Sequence, residues 1–430
     1  MKFYLLLLSV LFFPSSLLLS QKPTPTKPRV IVSTDIGGTD PDDNQSIIHL
    51  FMYSEKFNLE GLISSPSYGE GDKKEIHRMI NLYEKDFPAL SKHQKNLATP
   101  QFLRTITKQG AKGLAPFKGY VSPTEGSEWI IKSAKKKSKE PLWILVWGGL
   151  EDVAQALHDA PEIQKNIKVF WIGGPNKKWS ANSYAYIVAN FPDLWFVESN
   201  SSYYGFFSDH TENDISNKNY YKNYINEAGF LGKDFKANRY RGNVKMGDTP
   251  SLLYMMDGDP NNPEKESWGG SYEKFTRSPR TIYERNLTLK DTVAVFSIAE
   301  LRFKGPKLTI DQDKPCFKMV VKAKIGEQSW DGYYVGDGNY ALRYIPKQTE
   351  TINYEIRSDI KELDKQSGQF FVSNVWPGKP NTTDYILGKN YYTDKQDPEL
   401  YDNLWQGGKT VLKWRSDVLR DWAKRWQWLK

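Results

Sequence analysis

Short apolar runs that alternate with amphipathic segments restrict the fold of this chain more than any other feature of its sequence. Runs typical of strands buried on both faces lie at residues 29–34, 59–64, 142–147, 167–172 and 194–197. Segments with the apolar spacing of a helix separate them, at residues 44–53, 73–85, 125–136 and 152–158. This order predicts an α/β domain with a mostly parallel sheet flanked by helices. Ligands of such sheets bind at the carboxyl ends of the strands, so we expect the functional site in the loops that follow the strands.

The pattern changes near residue 290, where the helix signals stop. Short runs of strand-forming residues follow at Thr292–Ile298, Phe317–Lys322, Tyr340–Tyr344, Thr351–Ile356 and Gln369–Val372. Turn sequences lie between them, at Asp337-Gly338 and Ser367-Gly368. We therefore predict a small antiparallel β-sandwich, immunoglobulin-like in type. Apolar residues then recur at helical spacing from Val411 to Leu429, which predicts a C-terminal helix that docks back on the first domain.

The chain begins with the features of a secretory signal peptide. Lys2 precedes an apolar run that Pro14 and two serines interrupt, and the unbroken run is too short to cross ~30 Å of hydrocarbon. An uncleaved signal anchor is the alternative. We predict a secreted or periplasmic protein with no membrane span after removal of the signal. The predicted organisation is signal peptide, proline-rich spacer, α/β domain, β-sandwich and C-terminal segment, at residues 1–20, 21–28, 29–289, 290–395 and 396–430.

Composition excludes several classes of site. Cys316 is the only cysteine, which excludes an internal disulfide framework and cysteine-ligated zinc or iron–sulfur centres. The net charge of +8 comes from basic residues that are mostly scattered among acidic ones. This argues against a nucleic-acid groove, which needs a basic stripe on one face. Aromatic residues make up 14% of the chain; some of them could stack on sugars or bases, and core packing is the alternative for each.

An acidic loop directly after the first predicted strand is the strongest chemical signal. Asp35, Asp40, Asp42 and Asp43 lie within nine residues that also contain two glycines. Carboxylates this close repel one another, and a hard cation with oxygen ligands, such as Ca²⁺, would neutralise them. Asp42 and Asp43 also stand at the start of the next predicted helix, where negative charge is favourable without any metal. The residues alone leave both interpretations open.

These residues carry a resemblance to a known family. A buried strand followed by Asp-x-Gly, Asp-Asp and an apolar helix resembles the signature of nucleoside hydrolases. The chain is more similar to their secreted relatives, which are described as cellulose-binding and nucleoside-hydrolase-like. The resemblance covers residues 29–285 and the terminal helix, and the predicted sandwich is similar to the C-terminal domain of these relatives. Further matching segments lie at residues 147–152, 172–174, 246–251, 268–270 and 414–426.

The resemblance implies a Ca²⁺-dependent hydrolase of glycosidic bonds, with N-glycosyl compounds as the default substrates. Carried over residue by residue, the ion would be held by Asp35, Asp43, the backbone carbonyl of Glu151 and Asp248. Asp42 would act as the general base toward water. The ligand would be a small sugar or nucleoside-like molecule, or a polysaccharide.

Further residues are candidates for substrate binding. Asn182 follows a strand that ends in Gly173-Gly174 and resembles a family asparagine that binds sugar hydroxyls. Asp40 lies in a loop that is longer than the family's and could replace one of its acidic neighbours. Glu70 follows the second predicted strand and could supply a proton to a leaving group; a solvated, flexible loop is the alternative.

The chain departs from the family pattern in the part that handles the leaving group. Ser33 stands where the family has an aspartate, and Ser67-Tyr68 stands where it has Gly-Asn. Gly247 replaces the histidine that protonates a purine leaving group. Two alternatives to nucleoside hydrolysis therefore stay open. One is a non-catalytic protein that binds a cellulose-like polysaccharide, and the other is an O-glycosidase that uses Glu70 as its acid.

Overall fold

A computed structural model describes residues 27–38, 40–210, 213–235, 244–323 and 326–430. The predicted signal peptide and nearly all of the predicted spacer lie outside these described residues. Among the helices that the structure describes, none is both long and apolar enough to cross a membrane.

The helices lie mainly in the first 260 residues and at the C-terminus. Helices α1 to α13 are, in chain order, Asp42–Met52, Lys73–His93, Pro100–Ile106, Glu125–Ala134, Glu151–Asp159, Gly174–Trp179, Ala181–Asn190, Tyr204–Phe207, Asn217–Tyr220, Gly229–Lys233, Thr249–Met256, Gly408–Leu412 and Arg415–Trp426. Short 3-10 or π turns add Ser54–Lys56, Pro161–Lys165, Tyr221–Ile225, Pro398–Leu400 and Gln427–Leu429.

The strands fall into two large sheets and one small pair. Strands β1 to β18 are, in chain order, Arg29–Thr34, Asn58–Ser64, Thr107–Gln109, Leu142–Val146, Ile167–Ile172, Trp195–Ser199, Tyr272–Lys274, Arg277–Ser278, Arg280–Tyr283, Thr292–Ala294, Ile298–Lys304, Pro315–Ala323, Gly326–Gly336, Asn339–Tyr344, Thr351–Ser358, Ser367–Ser373, Tyr385–Ile386 and Tyr391–Asp394. The small pair consists of β8 and β17.

The first sheet has the strand order β3-β2-β1-β4-β5-β6-β18-β7. Its neighbouring strands are parallel except β18 and β7, which are antiparallel. Helices pack against the sheet, and the predicted α/β fold class is confirmed. The sheet order changes direction around β1 and β4, where the loops after both strands meet, and ligand sites of open α/β sheets lie at such a position.

Successive residues of the first sheet face two different cores. Val30 and Val32 belong to a core that also contains α1 and α13, whereas Ile31 faces the opposite side. The core around Ile31 continues without a break into the second sheet and includes Met319 and Leu342. The two sheets therefore share apolar contacts instead of forming two separate hydrophobic interiors.

The second sheet has the strand order β10-β16-β15-β12-β13-β14-β11-β9 and is antiparallel except for its two outermost pairs. The antiparallel second region is confirmed, and its immunoglobulin-like character stays a prediction. The predicted strand Thr292–Ile298 is two strands, because Phe296 has a left-handed backbone with a φ of 59°. The predicted turn at Asp337-Gly338 lies between β13, which ends at Gly336, and β14, which begins at Asn339.

Two strands pair across the predicted limits of the second domain. β9 precedes residue 290 and joins the second sheet, whereas β18 lies within the predicted range 290–395 and joins the first sheet between β6 and β7. β7 and β18 are hydrogen-bonded neighbours in the first sheet. The part of the chain between them forms the second sheet. The exact domain limits remain predictions.

The C-terminal helix docks on the first domain, as predicted. Trp422 and Trp426 of α13 are fully buried in the core that contains α1. Arg425 donates to Glu55 in a buried ion pair with a closest approach of 2.6 Å. The Tyr53 hydroxyl donates to Asp421 at 2.6 Å, so polar contacts fix the helix along with its apolar face.

Candidate functional site

The loops after three adjacent strands are tied together at the carboxyl edge of the first sheet. The Ser65 amide donates to the Thr34 carbonyl at 2.8 Å, and the Trp147 amide donates to the Ser33 carbonyl at 2.7 Å. Asp35 follows β1 at this point. A Cβ atom on Gly148 would lie 2.8 Å from the Cβ of Asp35, so only glycine allows the loop after β4 to approach the loop after β1 so closely.

Helix α1 presents two aspartates to this edge. Asp42 and Asp43 are its first residues, and the preceding Pro41 offers no side-chain cap. Asp43 is buried and accepts a hydrogen bond from the Thr34 hydroxyl. Their negative charges are favourable at the amino end of a helix. Neither side chain, however, accepts an N-cap hydrogen bond, as it would if its role were only to cap the helix.

A third aspartate reaches the same place from a distant part of the sequence. The Gln45 side chain of α1 accepts hydrogen bonds from the amides of Lys245, at 2.7 Å, and Met246, at 3.0 Å. These bonds hold the segment that leads to Asp248, which is buried at the start of α11. Its side chain does not cap that helix, and its Oδ2 has no hydrogen-bond partner among the described residues.

Asp42, Asp43 and Asp248 form one carboxylate cluster, in which an oxygen of each lies within 4.8 Å of the others. Burial, followed by the charges of Asp248, Asp35 and Asp42, raises the pKa of Asp43 well above its usual value. Burial and the charges of Asp42 and Asp35 do the same to the pKa of Asp248. The site therefore favours a bound positive charge or a proton.

Asp35 lies beside the cluster, but its carboxylate is not within 4.8 Å of all three other carboxylates. Burial, followed by the charge of Asp42, raises the pKa of its carboxyl group to about 6, and interactions with the Asp43 and Ser67 side chains act in the opposite direction. The Ser67 hydroxyl donates to the Asn176 side chain at 2.7 Å. Asp35 thus links the cluster to the loop after β2.

Lys245 is a component of the site that the sequence analysis missed. Its ammonium group pairs with Asp42 at 2.9 Å and also contacts Asp40, whose side chain is 49% exposed. Burial acts to raise the pKa of Asp42, but the charge and hydrogen bonds of Lys245, with a hydrogen bond from Asp40, hold that pKa below its usual value. Asp42 is therefore ionised at neutral pH, whereas the pKa values of Asp43 and Asp248 are raised. No motif in the sequence marks Lys245, because only the Gln45 contacts bring its segment to the site.

The donor set fits a hard divalent cation. It consists of carboxylate oxygens, the ligands that Ca²⁺ and Mg²⁺ prefer. A buried Asp248 oxygen that no described residue hydrogen-bonds is costly in a folded protein unless something else binds it. Carboxylates at this separation are further destabilising until a positive charge neutralises them.

The other predicted residues lie in different surroundings. Glu151 begins α5, and its side chain is buried with Oε1 accepting from the Ser180 hydroxyl at 2.9 Å. The Asn182 amide donates to the Ala115 carbonyl at 3.1 Å, and its oxygen accepts from Arg343 of the second sheet at 3.1 Å. Glu70 is exposed. Their assigned roles remain predictions.

Two further positions bear on substrate binding. The Asn176 side chain was not singled out from the sequence, yet it donates to the Trp147 carbonyl at 2.6 Å and the Ile172 carbonyl at 3.0 Å, at the ends of β4 and β5. A Cβ atom on Gly247 would lie 2.6 Å from Oδ2 of Asp42. A histidine at this position, as in the family pattern, would therefore require the Asp42 carboxylate to shift.

Solved structures that match this chain include a nucleoside hydrolase-related protein and two nucleoside hydrolases. A nucleoside hydrolase-related protein from Saccharophagus degradans that is associated with carbohydrate metabolism is 19% identical, with a TM-score of 0.49, over 81% of this chain and 100% of that one. A purine-preferring ribonucleoside hydrolase from Gardnerella vaginalis is 16% identical, with a TM-score of 0.39, over 58% and 83%. An inosine-uridine preferring nucleoside hydrolase from Bacillus anthracis is 15% identical, with a TM-score of 0.37, over 59% and 87%. No curated protein sequence matches the chain.

Family models match both parts of the protein. Residues 292–359, in the second sheet, match a domain of unknown function, DUF5060. Residues 29–272, more than half of the chain, match the model described as "Cellulose-binding Sde182, nucleoside hydrolase-like domain". This match confirms the resemblance that the acidic loop and the Gly-Gly segments indicated, and the chain belongs to this nucleoside hydrolase-like family.

Proposed function

We propose that the carboxylate cluster is the centre of a Ca²⁺-dependent hydrolase of glycosidic bonds, with Asp42 as its general base. The buried Asp248 oxygen that has no partner among the described residues carries this proposal, because it lies beside two further carboxylates at a sheet edge where ligands bind. Asp35, Asp43, Asp248 and the Glu151 carbonyl would hold the ion. When bound, Ca²⁺ would neutralise the carboxylates, lower the pKa of a bound water molecule and coordinate sugar hydroxyls.

Asp42 suits the role of base because its environment keeps it ionised. Lys245 holds the pKa of Asp42 low, whereas burial and repulsion raise the pKa values of Asp43 and Asp248. Pairs of acids whose pKa values are pushed apart commonly divide their roles in this way. In the resting state, Lys245 stabilises the negative charge of Asp42. The ionised Asp42 can then accept the proton of an attacking water molecule.

The leaving group would need a different proton donor from that of purine nucleoside hydrolases. Gly247 has no side chain, and a Cβ atom there would meet Asp42. Glu70 is exposed in the loop after β2, at the same edge of the sheet. It remains the candidate acid for an O-glycosidic substrate.

A non-catalytic glycan-binding role is the second candidate. The absence of the histidine at Gly247 favours it, and so does the cellulose-binding description of the family model. In this role the cluster and a bound cation would orient a sugar diol without cleaving it. We also propose that the protein acts outside the cytoplasm, in keeping with the predicted signal peptide and with a polysaccharide ligand.

The two candidates are separated by measuring sugar release with Ca²⁺ present, from nucleosides and from soluble oligosaccharides. We expect release by the wild type and a loss of about 100-fold or more in Asp42→Asn, the usual effect of removing a general base. Asp257→Asn is the matched control, because Asp257 is exposed at the far end of α11. Equal release by Asp42→Asn would contradict the mechanism. Binding without release in the wild type would favour the second candidate.

A further inference from the structure

An exposed aromatic side chain stands at the rim of the carboxylate site. Tyr68 is 62% exposed and directly follows Ser67, whose hydroxyl contacts Asp35 and donates to Asn176. The backbone of this loop is also fixed from within, because the Ser67 amide donates to the Gly69 carbonyl at 3.1 Å. Tyr68 is therefore the immediate neighbour of Ser67, the residue that contacts the acidic loop.

A second aromatic ring continues this surface toward the second sheet. The ring centroids of Tyr68 and Trp179 are 5.0 Å apart, with 51° between the ring planes. Trp179 ends α6 and is half-buried, and it stacks on Trp330 of β13 at 5.2 Å with 4° between the planes. The Lys178 ammonium lies 5.2 Å from the Trp179 ring centroid and 4.8 Å from that of Trp330. Trp179 is therefore supported from behind, and the orientation of its ring is fixed.

This arrangement differs from ordinary core packing. Trp330 is buried and Trp179 is half-buried, but Tyr68 presents most of its surface to solvent. Aromatic side chains with an apolar face and a polar tip are suited to binding sites that combine apolar and hydrated surfaces. The Tyr68 ring buries little area in the free protein, so its stacking surface remains available to a ligand.

We propose that Tyr68 and Trp179 form a sugar-stacking subsite for a glycan chain that continues from the carboxylate cluster. The inference rests on the proposed function and narrows its substrate class to an oligosaccharide or polysaccharide. A pyranose ring has apolar C–H faces and hydroxyl groups around its edge, so it can pack on an aromatic ring while its hydroxyls stay hydrated. The Tyr68 and Trp179 ring planes are inclined to each other by 51°, and Tyr68 is the exposed member of the pair.

The subsite also gives the second sheet a role in binding. Lys178 donates to the Gln328 side chain at 2.7 Å, and the indole N–H of Trp330 donates to the Lys178 carbonyl at 3.3 Å. Both partners belong to β13. The second sheet therefore supports the Trp179 ring from behind.

The test is isothermal titration of the full-length protein with cellohexaose, xylohexaose and adenosine, each with Ca²⁺ present. Tyr68→Ala is expected to bind a hexaose about tenfold more weakly than the wild type, in the range found for aromatic stacking. Tyr68→Phe keeps the ring and should bind within about twofold of the wild type. Phe371→Ala is the control for loss of an exposed ring, because Phe371 is 44% exposed on β16 of the second sheet. Substitutions at such exposed positions leave the fold intact.

The outcomes separate this inference from the proposed function. Hexaose binding that Tyr68→Ala weakens and Phe371→Ala does not would support the subsite, whether or not Asp42→Asn abolishes sugar release. Equal hexaose binding by Tyr68→Ala and the wild type would overturn it. Failure of the wild type to bind either hexaose would overturn it too, as would a Tyr68-dependent affinity for adenosine alone. If the Tyr68 effect is found but Asp42→Asn still releases sugar, only the proposed catalytic mechanism fails.

Discussion

Asp248→Asn is expected to stabilise the metal-free protein and to abolish its stabilisation by calcium. Asp248 is buried within 4.8 Å of two other carboxylates, counted between oxygens. Two unit charges at this distance repel by about 3.5 kcal/mol at an effective dielectric constant of ~20. Asparagine has nearly the same shape and removes the charge.

Proton uptake limits the size of this effect. Burial, with the charges of Asp42 and Asp35, raises the pKa of Asp248 well above 3.8, so the folded state can bind a proton there that the unfolded state does not bind. Such a group lowers stability as pH rises from about 3.8 toward its folded pKa. At about pH 7.5 the greatest cost is about 5 kcal/mol, or ~1.36 kcal/mol for each of ~3.7 pH units. The stabilisation by Asp248→Asn should therefore shrink as pH falls toward 4.

The assay is thermal unfolding in EDTA and in excess Ca²⁺. An unfolding entropy of about 2.1 cal/mol/K per residue makes ~1 kcal/mol worth about 1 °C in Tm for a chain of 430 residues. In EDTA at about pH 7.5, Asp248→Asn should melt up to about 5 °C above the wild type. Ca²⁺ at about 100 times its Kd should stabilise the wild type by about 2.7 kcal/mol and leave the variant unchanged.

Asp257→Asn at the exposed end of the same helix controls for loss of an acidic side chain. A lower Tm of Asp248→Asn in EDTA would refute the electrostatic reasoning, because it would show that the carboxyl group stabilises α11. A wild-type calcium response in Asp248→Asn would refute its role as a ligand.

Three further outcomes are expected. Lys245→Met should raise the pKa of Asp42, because it removes the ammonium group that lowers this pKa. The acid limb of the pH–activity profile should therefore move to higher pH. An unmoved limb would show that ionisation of Asp42 does not set this limb. Lys177→Met should destabilise the protein by about 3–5 kcal/mol in denaturant unfolding, because it leaves Glu198 buried without its ion-pair partner, and adding Glu198→Gln should restore part of the loss. Trp422→Ala should cost about 3–5 kcal/mol by opening a cavity under α13 and should make the C-terminal helix sensitive to limited proteolysis, whereas unchanged protection would contradict its docking role.

The sequence predicts the first sheet well because its strands are buried on both faces. The run Arg29–Thr34 has no polar alternation and matches β1 at both ends, and Ile167–Ile172 does the same for β5. β18, at Tyr391–Asp394, lies inside the first sheet but was not predicted. It is short, it follows a region of antiparallel strands, and its partners are distant in sequence, so local periodicity does not reveal it.

The carboxylate cluster could be predicted in part for a similar reason. Asp42 and Asp43 begin the helix that follows the loop after β1, where the topology places them at the ligand-binding edge. Asp248 required the family resemblance, and Lys245 required the contacts of Gln45, which no local pattern indicates. The amide group of Asn182 bonds Ala115 and Arg343, and its role in substrate binding stays a prediction. Spacing after a strand does not specify which way a helical side chain points.

The position of β18 has a consequence for the order in which this protein can fold during synthesis. β18 lies between β6 and β7, so the backbone groups along that edge of β6 have no strand partner until residue 394 has been made. The apolar surface beneath α13 is likewise uncovered until the last residues arrive. A growing chain therefore cannot complete its N-terminal sheet early and add the rest later, as consecutive domains do.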